Sequence, residues 1–290
     1  MAKESVVCAG EVLWDSLPDG ESIGGAPFNV AAHVSRLGLR ARLVSRVGDD
    51  GRGGAARRMA FRNGIDVDLL QTDAMLPTGV AHARLDAAGN ARYRFLGPAA
   101  WDAIEATPAA LDAAARADAF VYGTLAQRDE RSRTSIRKLV GAARHRVYDP
   151  NLRAPHVDRD VALAGLEQAD LVKLNEEECR VFGGWIGCGA EPEPLHSALR
   201  TQFGVRSLCI TRGAAGAILF HGGKRHDAPG VPTEVVDTVG AGDAFLAMLC
   251  VQLLRRSPPS EALARAARLA AHVAARAGAV PQYQPDAFLA

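Results

Sequence analysis

The sequence predicts an α/β protein with a mostly parallel sheet covered by helices and a small β-sheet flap beside it. Three observations point there. Short β-branched runs alternate with longer amphipathic ones along most of the chain, the pattern that strand–helix–strand crossovers leave. Residues 78–96 break the alternation with period-two patterning on both sides of a polar turn. The 290 residues suffice for one large core with a small appendage.

Strands are expected near 5–10, 42–47, 119–123, 146–149, 170–174, 207–211 and 217–220. Helices are expected over 27–37, 53–63, 108–115, 132–143, 161–168, 176–182, 194–203, 241–255 and 260–277. Pro27 falls near the first position of the first helix, where a missing N–H does no harm, and Val30, Val34 and Leu37 form its apolar stripe. The last helix carries the strongest signals: Ser257-Pro258-Pro259 starts it, Gly278 closes it and Pro281 lies beyond. Residues 183–193 read as a loop. In the flap, Ala81, Ala83 and Leu85 alternate with His82, Arg84 and Asp86; Tyr93 and Phe95 alternate with Arg92 and Arg94. The turn between them is Ala87-Ala88-Gly89-Asn90. Two strands bury little alone, so residues 13–23 are expected to add another. Such a flap would exclude water from a site or pair with a second copy.

The net charge of +1, with acids and bases interspersed, offers no electrostatic case for nucleic acid or an anionic membrane. Cys8, Cys209 and Cys250 lie in apolar runs, and the five cysteines form no CxxC pair. Reduced core thiols in a cytoplasmic protein are expected. Residues 5–10 read as a strand rather than part of a signal peptide. No uninterrupted apolar run reaches the roughly 18 residues of a membrane helix.

The densest chemistry lies in Asp237-Thr238-Val239-Gly240-Ala241-Gly242-Asp243, which opens an apolar helix. Small residues there leave backbone N–H groups uncovered at the positive end of the helix, where an anion binds. An aspartate beside a bound anion suits proton removal from an attacking hydroxyl better than it suits anion binding. Near the start, Gly24-Gly25-Ala26-Pro27-Phe28-Asn29 pairs glycines, which permit close approach of a ligand, with an amide able to meet hydroxyls.

In this order, GG-x-x-x-N and D-T-x-G-A-G-D resemble the paired signatures of the ribokinase/PfkB carbohydrate kinase family. Besides these two, further stretches match as well: 10–15, 46–50, 123–128, 149–153, 174–178 and 211–216. The details, including Ala100-Trp101-Asp102, are most similar to bacterial fructokinases. The resemblance implies a ribokinase-like three-layer α/β/α core spanning 1–290 as a single domain, with a lid from 12–24 and 76–98. It also implies an ATP- and Mg²⁺-dependent sugar kinase that forms a homodimer through the lid. Asp243 would be the catalytic base, with Gly240, Ala241 and Gly242 presenting amides to the transferring phosphoryl group. Asp15, Gly24, Gly25, Asn29, Trp101, Gln127 and Arg128 would contact the sugar. Asn175, Thr211, Gly213, Gly216 and Arg153 would contact the nucleotide. Asn175 and Glu178 would hold Mg²⁺ through water, although on the residues alone a helix cap explains that pair better. Asp237, the Val239 backbone and residues 276–282 resemble a K⁺ loop.

The chain departs from the family pattern in places. No Walker loop is present, 266–269 lacks the asparagine many relatives have, and 97–101 lacks an arginine found after some fructokinase lids. The lone His33, His82, His145 and His272 lack metal-ligand spacing, and surface or helix positions are expected for all four. Fructose is the leading acceptor; ribose, a nucleoside or 2-keto-3-deoxygluconate keeps the same chemistry. A nicotinamide-binding Rossmann enzyme would need G-x-G-x-x-G after the first strand, where Gly10-Glu11-Val12-Leu13-Trp14 stands instead. A sugar sensor without catalysis would have no use for Asp243.

Overall fold

The computed structural model describes residues 4–17, 20–85 and 91–289. The chain runs β1 (Ser5–Ala9), β2 (Leu13–Leu17), β3 (Gly20–Gly24), α1 (Ala26–Arg36), β4 (Arg40–Gly48), α2 (Gly51–Arg62) and β5 (Leu70–Asp73). It continues with β6 (Gly79–Leu85), β7 (Ala91–Phe95), α3 (Pro108–Arg116), β8 (Ala119–Tyr122), α4 (Glu130–Ala142), β9 (Arg146–Tyr148) and α5 (Arg159–Glu167). Then come β10 (Leu171–Asn175), α6 (Glu176–Ile186), α7 (Pro192–Phe203), β11 (Ser207–Thr211), β12 (Ala217–His221) and β13 (Lys224–Ala228). Helices α8 (Ala241–Leu254), α9 (Pro259–Ala274) and α10 (Asp286–Leu289) close it.

The large sheet has the order β13-β12-β11-β10-β9-β8-β1-β4-β5. Its pairs are parallel except at β11–β12 and β12–β13. Successive side chains on a strand point to opposite faces, and the strands here are apolar on both. Val6, Cys8, Val121 and Cys209 join one core with α1, α2, α8, α9 and α10. Val7, Phe120, Val172 and Leu208 join a second core with α3 to α7. This is the expected three-layer arrangement. Helix α8 is buried from Asp243 to Gln252, so whatever its first turn carries is drawn inside.

The second sheet, β3-β2-β6-β7, is the expected flap. Leu13, Val80 and Ala81 are buried while most of β3 is exposed. Residues 13–23 supply two strands rather than one. The turn at 87–90 lies outside the described residues.

Other differences have local causes. β13 reads Lys-Arg-His-Asp-Ala at a sheet edge, and a charged edge strand carries no apolar alternation to detect. β5, Leu-Gln-Thr-Asp, is the opposite edge. Residues 183–193 are mostly helical: α6 runs on to Ile186, where Gly187 caps it at φ 75°. Helix α9 ends at Ala274, short of 277, because the Val236 and Asp237 N–H groups donate to the Ala274 carbonyl.

The chain passes from β1 outward to β4 and β5, then returns to build β8 through β11 on the other side of β1. Such a reversal opens a crevice beyond the carboxyl ends of the strands, where α/β proteins bind ligands. Glu11, Ala26, Gly123, Thr124, Asp149 and Asn151 are among the residues lining it.

Candidate active site

Gly240 precedes α8 in the left-handed region at φ 76°, and a Cβ there would lie 2.5 Å from the Ala279 Cα. Only glycine meets both demands. The turn starts the helix so that Asp243 sits in its first turn, 8 % exposed, with Oδ2 accepting a hydrogen bond from Asn29 Nδ2 at 2.8 Å. Burial pushes the Asp243 carboxyl above its ordinary range; the Asn29 bond pulls it back, Asp149 raises it, and Lys173 and Arg153 lower it. A buried carboxylate with raised basicity at a helix N-terminus is equipped to take a proton beside an anion.

The early glycines serve close approach. A Cβ on Gly24 would lie 2.2 Å from Asp15 Oδ2, and one on Gly25 would lie 2.4 Å from the Glu11 carbonyl oxygen. Asp15, on β2 of the flap, is pushed up to about 6 by burial, with Arg153 lowering it and Asp243 raising it. Asn29 and Asp243, in the first turns of α1 and α8, are in direct contact, and Asp15 and Arg153 lie near enough to act on the Asp243 carboxyl or be acted on by it.

Glu11 lines the crevice beyond the strand ends and accepts from the Ala26 N–H at 3.3 Å. Burial pushes it from 4.5 up to about 7, against backbone N–H groups and Arg153 that lower it; Asp243 adds to the rise. A carboxyl whose folded value is raised holds its proton more tightly when folded. Its stabilising contribution is complete below about 4.5 and is lost as pH rises through about 7. Glu11→Gln keeps the acceptor and removes the charge. It should be more stable than the parent at pH 8, with the difference closing toward pH 5. Urea titrations at both pH values check this, and a difference that does not depend on pH contradicts it.

One charged group escaped the sequence reading. Lys173, in β10, is 6 % exposed and donates from Nζ to both oxygens of Asp149, at 2.9 and 3.1 Å. Its Nζ lies 3.3 Å from where a Gly242 Cβ would be. Burial opposes the charge, but Asp149 and Glu178 outweigh it and lift the ammonium above its ordinary value. The signal was present in the sequence: a lysine in Leu-Val-Lys-Leu stands where the strand pattern demands an apolar side chain.

Other anticipated residues are engaged elsewhere. Trp101 is 1 % exposed, with the Arg128 guanidinium 3.9 Å over its ring. No ring face is left for a sugar. Arg128 is held by both oxygens of Asp102, and Gln127 is buried, donating to the Gly123 carbonyl. Asn175 and Glu178 form a capping box, and the second Glu178 oxygen accepts from the Leu152 N–H. Thr211 donates weakly to the Leu174 carbonyl, while Gly213 and Gly216 form the β11–β12 turn at φ 53° and 88°. Asp237 accepts from the Val239 and Gly278 N–H groups, joining the two halves of the anticipated cation loop. His33 lies in helix α1, one of the two kinds of position expected for it, and is fully buried there. Among the described residues, no three His, Cys, Asp or Glu side chains cluster as a metal site, and no helix is long and apolar enough to cross a membrane.

A family model for pfkB family carbohydrate kinases matches residues 19–286. The chain belongs to that family. Among pfkB relatives, fructokinase from Escherichia coli is 32 % identical over 259 residues, covering 84 % of this chain and 82 % of that one. Fructokinase from Klebsiella pneumoniae is 32 % identical over 277 residues, covering 90 % and 88 %. A crystal structure of a Xylella fastidiosa fructokinase with bound ATP superposes with a TM-score of 0.85 at 23 % identity, over 99 % of this chain and 98 % of that one. The ribokinase-like α/β fold is shared by pfkB kinases of known structure.

Proposed function

We propose that this carbohydrate kinase transfers the γ-phosphoryl group of MgATP to a primary hydroxyl of fructose. The observation that carries the reading is the 2.8 Å contact between Asn29 and Asp243, which joins a hydroxyl-binding amide to a buried base at a helix N-terminus. Asp15, Gly25 and Asn29 would orient the sugar through its hydroxyls. Asp243 takes the proton as the acceptor oxygen attacks phosphorus. The bond from phosphorus to the β–γ bridging oxygen breaks, and ADP departs. Amides of Gly240, Ala241 and Gly242 would face the charge on the equatorial oxygens, the Ala241 N–H giving up its long 3.3 Å bond to the Thr238 carbonyl, with Lys173 behind them.

Asn175 and Glu178 are the residues that would hold Mg²⁺, whose charge would screen that of the phosphates. With the Glu178 oxygens occupied by N–H groups, its reach to such an ion would be through water. Asp237 keeps unused lone pairs for a K⁺ ion beside the turn. The four buried thiols and one partly buried thiol suit a reducing cytoplasm.

Fructose is favoured because relatives at 32 % identity are fructokinases. Purified protein with ATP and a panel of acceptors tests it: turnover should be highest with D-fructose, ahead of ribose, nucleosides and 2-keto-3-deoxygluconate. No turnover with any ketohexose would remove the assignment. The exposed side of the flap, including Leu96, is the surface proposed for a homodimer, and a monomeric mass by light scattering would contradict it.

A further inference from the structure

We propose that His33 is a positioning residue for the phosphate-binding turn, holding the Ala279 carbonyl and, through Ala279, the backbone of Gly240. The proposal rests on the reading of Gly240 to Gly242 given above. His33 lies one helical turn after Asn29 on α1, and residues four apart share a helix face. The same face thus meets both ends of the turn, Asn29 touching Asp243 and His33 touching Ala279.

The ring's hydrogen bonds define its state. Nε2 lies 3.0 Å from the Ala279 oxygen. A carbonyl can only accept, so Nε2 carries the hydrogen. Nδ1 is then bare and accepts from the Tyr283 hydroxyl at 2.9 Å. Burial lowers the His33 pKa to about 4, with Arg36 adding to the fall and the Ala279 bond opposing it. The ring is therefore neutral through the physiological range. Its plane lies 16° from that of Tyr283 with centroids 5.7 Å apart. Arg36 donates to the Pro281 carbonyl from the same helix.

The loop so held abuts the turn. A Cβ on Gly240 would come within 2.6 Å of both the Ala279 Cβ and its carbonyl oxygen. Asp237 binds the Gly278 N–H from the other side. A shift of the Ala279 peptide would reorient Gly240 and the amides that follow it. Misplacement of an ångström at a reacting centre is felt in kcat.

Two substitutions separate the two hydrogen bonds. The amide nitrogen of glutamine reaches roughly the place of Nε2, whereas asparagine reaches only that of Nδ1. His33→Gln should keep the Ala279 bond; His33→Asn should keep only a partner for Tyr283. We expect kcat to fall about 10- to 30-fold in His33→Asn, with the sugar KM within about threefold, and to stay within about threefold in His33→Gln. Both variants should lose similar thermal stability. Equal kcat in the two, or kcat losses that track Tm, would overturn the proposal. Tyr283→Phe leaves the Ala279 bond in place and should keep kcat within about threefold; a tenfold loss there would overturn it too. If the unsubstituted protein phosphorylates sugar, these failures fall on the His33 role alone. If it does not, the reading of the turn falls and the proposal with it.

Discussion

Asp243→Asn lowers kcat by about 10²–10⁴-fold, the range of a general base, while fructose still binds. The asparagine is isosteric, and its carbonyl oxygen can still accept from the Asn29 amide that now lies 2.8 Å from Oδ2. It also removes a charge whose burial is unfavourable, so the variant should fold at least as well as its parent. A melting temperature at or above the parent's would then separate a loss of activity from a loss of structure. Steady-state kinetics with ATP and fructose, together with calorimetric titration of fructose, separate the two effects. A sugar sensor would show no difference between the variant and its parent, because neither would turn over. Parental turnover in the variant would remove the proposed base.

Lys173→Met lowers folding stability by about 3–5 kcal/mol, the usual consequence of stripping one partner from a buried ion pair. Lys173 and Asp149 are 6 % and 5 % exposed, and the carboxylates of Glu178 and Asp243 are buried beside them. Methionine fills similar volume but leaves those carboxylates without the ammonium that offsets them. The lysine value is raised on folding, so its contribution is fully present below the ordinary 10.5 and is lost only at more alkaline pH. Without Lys173 the Asp243 and Glu178 carboxyls rise further and take up protons sooner, so the loss should be smaller at pH 6 than at pH 8. Urea denaturation at pH 7.5 measures it; a loss below about 1 kcal/mol would mean the pair is not buried as described. Combining Lys173→Met with Asp149→Asn should recover part of the loss, since the two sites interact directly.

The parts of this molecule legible in its sequence are those where one local rule suffices. Asp237 to Asp243 gives the left-handed Gly240, the start of α8 and the aspartate in its first turn from glycine and charge alone. Central strands such as Ala119–Tyr122 declare themselves by being apolar on both faces. Edge strands do not: Lys224–Ala228 is polar because little covers it. Trp101 shows a second limit. An aromatic next to a suspected sugar site can stack on the ligand or fill the core, and only the Arg128–Asp102 pair packed against it decides for the core. Asn175 and Glu178 satisfy a cap and a metal motif with the same atoms, and the structure realises the cap. His33 and Lys173 show a third limit, because their partners Ala279 and Asp149 lie far off in sequence. Distance along the chain hides such pairs even where burial of a polar residue hints at them.

The central claim is that Asp243 lies at the acceptor oxygen while the amides before it face the phosphate. A crystal structure with fructose and a non-hydrolysable ATP analogue bound tests it most directly. We expect the primary hydroxyl oxygen about 2.6–3.2 Å from the Asp243 carboxylate, with the terminal phosphate against Gly240, Ala241 and Gly242. A sugar bound away from Asp15, Asn29 and Asp243, or a terminal phosphate away from that turn, would contradict the account.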